Sequence, residues 1–431
     1  MIKRSFLGIR EPVLKYDQLG ASPPKPESIS VSNQVSLILE VPFENKNETL
    51  ITVGDKVITG KKITLYDGDE NYVISPVTGT ITSILPYSGN FGQKGTSICI
   101  DTSTNEEIDK HFEEYKNASS IQSADDFLQC IPGMPPLKLL LQSTIQAKTV
   151  VICGADHDLL STTRQYAVTS MIDSIIKGIS VLTKISGGSK IVLALPETMS
   201  MPGKFPNVKT ISISSKHPAA LPHMITKQHF NTIIPEDKTC EEMGFFFFSA
   251  ESVAAIGDAY TNGQIPLSKI VTVVNKNGNK EMISAKIGTP IGEIFKGLKI
   301  FANEKDKIII NGPMTGYCAY TLEQPIMPDT DSIIIQDRDK VISSSDYACT
   351  NCGKCIRICP ANVPVNLLVR FLEANELEEA ADQYDLHSCI ECGLCSYVCI
   401  SKIPIFQYIK IAKFELALMD SENAMEEENN D

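Results

Sequence analysis

Eight of the thirteen cysteines in this 431-residue chain fall into two runs of identical spacing. The first is CTNCGKCIRICP, beginning at Cys349, and the second is CIECGLCSYVCI, beginning at Cys389. Cys349, Cys352, Cys355 and Cys359 are separated by two, two and three residues, and Cys389, Cys392, Cys395 and Cys399 repeat that pattern. Three thiolates at such intervals wrap one corner of a cubane cluster, and the fourth points away to a second one. The spacing predicts two [4Fe–4S] clusters with exchanged ligands. Cys349, Cys352, Cys355 and Cys399 hold one, and Cys389, Cys392, Cys395 and Cys359 hold the other. Gly353 and Gly393 leave room for backbone N–H groups to approach cluster sulfurs. A pair of zinc sites is the competing reading, but structural zinc uses two separated cysteine pairs rather than a doubled run of four. Such clusters pass single electrons and make no bonds, so a redox relay without catalytic side chains is expected.

Ile400 follows Cys399 where the first run has Pro360, which fixes the chain turn; the cluster is expected to survive this change. The five remaining cysteines, Cys99, Cys130, Cys153, Cys240 and Cys318, are isolated and read as small buried hydrophobes.

The bulk numbers narrow the setting. The formal net charge of −13 argues against a phosphate-binding surface, so no nucleic-acid partner is expected. No run of about 20 apolar residues occurs. The best candidate, GFFFFSAESVAAIG from Gly244, is short and contains Glu251. The start, MIKRSFLGIREP, has no secretory pattern. Thirteen cysteines in an unexported chain point to metal rather than disulfides. The acidic end, Met419 to Asp431, reads as a solvated, disordered tail.

The elements that must position the cysteines read as a multidomain α+β protein, since 431 residues exceed the roughly 250–300 that one core serves. An N-terminal arm (1–30) leads into short alternating strands with Gly-centred turns, a small all-β domain over 31–105 that resembles the barrel-sandwich hammerhead of biotinyl and lipoyl carrier domains. KTVVICGA from Lys148 is a continuous apolar run suited to a buried parallel strand. One helix follows, its apolar stripe running from Val168 through Met171, Ile175 and Ile179 to Leu182 and ending at SGGSK. KIVLALP from Lys190, and then FFFFS with its following helix, complete a Rossmann-like α/β domain over 118–262. A hairpin at Asn277-Gly278, a short helix after Pro290 and the strand KIIINGPMTGY form a ubiquitin-like β-grasp domain over 264–340. The cysteine runs occupy an α-helical two-cluster ferredoxin module over 341–416, with one helix, Val365 to Tyr384, joining the loops; 417–431 is the tail. His157, between Asp156 and Asp158, reads as a strand-end loop histidine with solvated neighbours rather than a ligand. His111, His217, His223, His229 and His387 form no spaced ligand pair.

This order of domains resembles the C subunit of Rnf complexes, the membrane-bound ferredoxin:NAD oxidoreductases, over nearly the whole chain. The resemblance is carried by INGPMTGY (Ile310 to Tyr317), the two cysteine runs and the following KIPIFQYIKIAKFE, with VGDKVITGKKI and IGTPIGEI in support. It implies an SLBB-type β-grasp domain and a peripheral position on the cytoplasmic face of the cell membrane. The partners it implies are the other subunits of the complex and a soluble carrier such as ferredoxin or a flavoprotein. Active members hold FMN and take hydride from NADH through a glycine-rich loop and an acidic strand end. Here the loop reads CIPGMPPLKL (Cys130 to Leu139), keeping only Gly133 and gaining Pro132, Pro135 and Pro136, which remove amide donors. The strand end keeps Asp156 and Asp158. The chain is therefore expected to lack FMN and NAD(H). The alternatives are a flavin-dependent NADH dehydrogenase subunit with a remodelled loop, or a soluble protein resembling cobalamin reductases.

Overall fold

Apolar continuity decides where the strands lie. All five residues of Thr149–Cys153 are buried, as a strand covered on both faces by helices must be. The computed structural model describes residues 12–20, 22–44, 48–116, 126–141, 146–199, 205, 208–345 and 347–430, and of 91, 141 and 422–430 only the backbone. The chain divides into two units. One comprises Tyr16–Ser215 and Cys240–Lys340, the other Met1–Lys15, Lys216–Thr239 and Val341–Asp431.

Among the described residues the first unit holds three larger sheets with cores of their own and one two-stranded sheet. Gln34–Leu39, Lys94–Thr102, Gly79–Ser88 and Lys56–Val57 form an antiparallel four-stranded sheet in that order. A two-stranded ladder, Lys62–Ile63 with Val73–Ile74, closes the sandwich. Val35, Leu37, Ile63, Leu65, Ile81 and Ile98 fill its interior. A parallel sheet orders Lys209–Ile213, Lys190–Pro196, Thr149–Cys153 and Phe245–Ser249. The third sheet has six strands, in the order Glu27–Ser28, Lys280–Lys286, Ser268–Val274, Ser332–Gln336, Lys307–Ile310 and Tyr317–Cys318, with the helix Ile291–Gly297 against it. Its hairpin is set by Asn275, whose side-chain oxygen accepts from the N–H of Asn277 and Asn279, with Gly278 at φ 81°.

Two helices of the parallel layer, Ile172–Ile185 and Ala250–Asn262, cross at glycines. A Cβ on Gly257 would stand 1.9 Å from the Ser174 carbonyl oxygen, and one on Gly178 the same distance from that of Val253. The backbones meet with no room for a methyl group. Gly257→Ala is expected to cost about 1–3 kcal/mol, read as a lower urea midpoint at unchanged slope.

Several expectations need correction. The helix drawn from Val168 to Leu182 is two helices, Thr163–Ser170 and Ile172–Ile185. Thr169 Oγ1 bonds back to the Gln165 carbonyl, a contact that bends helices, and the chain breaks at Met171. The connecting helix Val365 to Tyr384 is likewise two, Val365–Glu373 and Leu377–Tyr384. Asn375, at φ 62°, supplies the left-handed residue that ends the first. The tail is not disordered: the last helix runs from Ile405 to Asn430, because Glu, Ala and Met are good helix formers. The described part of the N-terminal arm is tied to the fold. Glu27–Ser28 adds a parallel strand beside Ile283–Ser284, and the Asp17 carboxylate accepts from Leu160 N at 2.7 Å and pairs with Lys280 Nζ at 2.7 Å. Nor is 118–262 continuous, since Lys216–Thr239 groups with the cysteine region. Half of the ETMSMPGKFPNVKT segment, residues 200–204, 206 and 207, lies outside the described residues.

A buried ion network ties the parallel layer to the six-stranded sheet. Lys269, fully buried, donates to the Glu251 carboxylate, to Asp331 Oδ1 at 3.0 Å and to the Ile270 carbonyl at 3.1 Å. Arg164 Nε reaches Asp331 Oδ2 at 2.9 Å, and Glu251 Oε1 accepts from Ile270 N at 2.9 Å.

Candidate functional site

The two cysteine runs fold as copies of one loop, and the repeat is visible at the level of single hydrogen bonds. Asn351 and Glu391 are left-handed at φ 54° and 53°, Gly353 and Gly393 at 69° and 73°, and Asn362 and Lys402 at 60° and 54°. Each glycine opens a one-turn helix, Lys354–Ile358 or Leu394–Val398. Cys359 N donates to the Ile356 carbonyl at 3.2 Å, as Cys399 N does to that of Ser396, and Asn362 N donates to the Cys359 carbonyl at 3.3 Å, as Lys402 N does to that of Cys399. The turn after Cys399 thus keeps its geometry with Ile400 in place of proline.

This fold brings the cysteines together across the repeat. Cys349, Cys352 and Cys355 line one small cavity with Cys399, alongside Val369, Ile403 and Ile405. Cys389, Cys392 and Cys395 line another with Cys359, alongside Val365, Phe406 and Ile409. Helix residues Leu368, Val369, Leu372, Ile405 and Ile409 pack into one core with both loops, which fixes the cavities relative to each other. Among the described residues, no three His, Cys, Asp or Glu converge tightly enough to hold a single metal ion. Four sulfurs around a largely apolar cavity fit a larger cofactor; Lys354 also lines the first cavity and Glu391 the second. Burial pushes the Cys355 thiol up to about 11 and the Cys392 thiol up to about 12. Iron entering here must displace protons, so binding releases them.

The two cavities differ in surroundings. Cys352 is exposed while its counterpart Cys392 is 7% exposed. His217, itself buried, places Nε2 2.8 Å from the Cys392 carbonyl, and its own N–H donates to the Leu14 carbonyl at 3.0 Å. Lys413 Nζ donates to the Cys389 carbonyl at 2.7 Å and to Glu391 Oε1 at 3.1 Å, and Lys410 holds Glu391 Oε2 at 3.1 Å. Burial raises the Glu391 carboxyl, but Lys413 and Lys410 outweigh it and hold it below the usual range. Burial, then Lys413, keep the nearby His223 imidazole below its ordinary value. His217 and Lys413 escaped sequence reasoning. His217 lies 175 positions from Cys392 in a segment without a motif, whereas Lys410 and Lys413, one helical turn apart beyond the last cysteine, were a readable signal.

The other residues singled out from sequence do different work. Asp156 and Asp158 are buried, not solvated. Asp156 accepts from Arg164 N, Ser161 Oγ and Gln165 Nε2, and Asp158 accepts from Leu159 N, Met314 N and both donors of Thr315. The INGPMTGY turn is thereby clamped onto the strand end. Burial, and then the Arg164 cation, hold the His157 imidazole well below its ordinary pKa and so neutral. Its Nε2 has no hydrogen-bond partner among the described residues. In the CIPGMPP loop, Gly133 N donates to the Pro328 carbonyl at 2.7 Å and Met134 N to that of Ile131 at 2.9 Å. Cys130 Sγ donates to the Tyr72 carbonyl at 3.0 Å. Cys153 and Cys240 are buried, Cys99 half-buried, and Cys318 is exposed, against expectation. His111 bonds to Asp109 and His387 is exposed.

Comparison with known proteins finds one family match spanning both cysteine runs. Residues 348–403 match the family described as 4Fe-4S dicluster domain, and residues 21–105 match the RnfC barrel sandwich hybrid domain. The C subunit of an ion-translocating oxidoreductase complex from Pectobacterium atrosepticum is 25% identical over 88% of this chain and 57% of its own length. The chain is RnfC-like. The C subunit of a proton-translocating ferredoxin:NAD(+) oxidoreductase complex from Clostridium ljungdahlii is 28% identical over 62% of this chain and 60% of its own. This RnfC-like chain thus spans about three-fifths of the length of those two relatives. A crystal structure of an NAD+-reducing [NiFe]-hydrogenase aligns at TM-score 0.45 and 10% identity, over 74% of this chain and 69% of that one, a likeness too loose to support any argument. Among the described residues no helix is long and apolar enough to cross a membrane.

Proposed function

We propose that this chain is the electron-transfer subunit of an Rnf-like membrane-associated complex, relaying single electrons through two [4Fe–4S] clusters and holding no FMN or NADH of its own. The observation that carries the reading is the crossed arrangement of thiols, three from one loop and the fourth from the other, around two apolar cavities in a single core. When bound, the clusters supply one-electron chemistry at each site. The chain's own groups hold and insulate. Eight thiolates anchor the iron, Val365, Leu368, Val369 and Ile409 exclude water, and Lys413 and His217 fix the carbonyls of the second loop. Partners on this reading are the other subunits of the complex and a soluble one-electron carrier, and its place is peripheral on the inner face of the membrane. The six-stranded sheet with its single helix is read as the SLBB-type domain.

Spent donors speak against a flavin site. A phosphate cradle needs free amides. In Cys130 to Leu139 three amides are replaced by proline, and those of Gly133 and Met134 are committed to carbonyls. The carboxylates of Asp156 and Asp158 are used up within the fold. Protein purified without oxygen is therefore expected to release no flavin fluorescence above background on denaturation and to reduce no dye with NADH. Stoichiometric FMN with NADH-dependent dye reduction would establish instead the flavin-dependent dehydrogenase subunit.

A further inference from the structure

The two loops diverge in charge at one matching backbone position. Asn351 and Glu391 are both left-handed, at φ 54° and 53°, and each stands two residues after the first cysteine of its run. In the first loop the position is neutral: Asn351 Oδ1 accepts from Asn366 Nδ2 at 2.8 Å. That cavity is lined by Lys354 and, among the described residues, by no carboxylate. In the second loop the position is itself a carboxylate, and Glu391 lines the cavity of Cys389, Cys392, Cys395 and Cys359. Iron and sulfide held by four thiolates are anionic, and reduction adds one more negative charge. A bare carboxylate on that wall opposes the added electron by like-charge repulsion.

Two cations answer it. Lys410 Nζ stands 3.1 Å from Glu391 Oε2, and Lys413 Nζ stands 3.1 Å from Oε1. Lys413 also donates to the Cys389 carbonyl at 2.7 Å, which holds its ammonium against the ligand loop. The Lys413 side chain is only 21% exposed, so salt screens it less than it would a surface pair. Burial and Lys413 keep the neighbouring His223 imidazole below its ordinary value, so at pH 7 it adds no cation. The three side chains leave a net charge of +1 beside the site. Resting on the electron-relay reading, we propose that Glu391, Lys410 and Lys413 are a charge network that sets the reduction potential of the second site. The lysines raise that potential and the carboxylate lowers it. Enclosure of Cys392 and Cys395 by itself disfavours the added charge, and the net cation offsets this, keeping an enclosed site reducible. All three are positioning residues, acting on the iron through the loop and across space.

The test uses the full chain, purified anaerobically with its clusters, poised with mediators and dithionite and read by EPR. At a fixed applied potential, Lys413→Met is expected to lower the reduced-to-oxidised ratio of one site about tenfold, a downshift of about 59 mV for a one-electron couple. A unit charge a few ångströms away at an effective dielectric of about 20 is sufficient for this. Glu391→Gln, which keeps the size and drops the charge, should shift the same site upward by a similar factor. Lys413→Arg, which keeps the charge, should hold the wild-type potential. In the Cys399→Ser background, the potential that moves should be that of the site remaining. Loosening of the loop alone moves both charge variants in one direction, whereas the network moves them in opposite directions. Unmoved potentials in loaded variants, or shifts of one sign, would overturn the proposal and leave the relay reading standing. Should Lys413→Met lose its iron, Lys410→Met replaces it with the same expected direction. A wild-type preparation without iron or labile sulfide would overturn both.

Discussion

Replacing Cys399 with serine removes the iron–sulfur signal of the first loop, not that of its own. Cys399 shares a cavity with Cys349, Cys352 and Cys355, so its loss leaves three ligands on that cluster and four on the other. The expected result is half the iron and sulfide, or conversion of one centre to a three-iron form, with the EPR of the remaining cluster free of its neighbour's magnetic interaction. Cys359→Ser, in the reciprocal cavity, should remove the other centre. The double replacement Cys399→Ser with Cys349→Ser should do no more than either alone, since both act on one site. Additive loss of both centres would mean that each run binds its own cluster.

Lys269→Met should lower the stability of the first unit by about 3–5 kcal/mol, the usual cost of leaving a buried charge without its partner. Lys269 touches Glu251 and Asp331 and is itself fully buried. Adding Glu251→Leu should recover part of the loss, because the orphaned carboxylate goes with it. The network also makes stability depend on acid. Burial raises the Asp331 carboxyl, but Lys269 and Arg164 outweigh it, so its folded pKa lies well below the ordinary value. A depressed carboxylate contributes stability above its unfolded pKa of about 3.9, and that contribution fades as the pH falls from there toward the folded value. Urea midpoints should therefore drop with acid below about pH 4, and the drop should be smaller in Lys269→Met.

What could be read from the sequence is what depends on neighbours along the chain. Ligand spacing is local, so the two matching four-cysteine loops could be read from intervals alone, and the fold gathers Cys399 with the first run and Cys359 with the second. The apolar runs Thr149–Cys153 and Phe245–Ser249 announced buried parallel strands for the same reason. Helix breaks were less legible. Asn375 could have been recognised as a left-handed stop within EANELEE, whereas the break at Met171 has no comparable marker. Long-range partnerships were invisible. Nothing near His217 announces that it meets Cys392, and the aspartates flanking His157 gave no hint that the donors of Thr315 and Gln165 would consume them. Burial makes a structural clamp of aspartates that the sequence reading left solvated.

Iron, acid-labile sulfide and flavin counted together on anaerobically purified chain test the central claim most directly. The account predicts about eight irons and eight sulfides per chain, no flavin, and after dithionite an EPR spectrum of two interacting reduced clusters. Colourless protein carrying zinc and silent in EPR would contradict it.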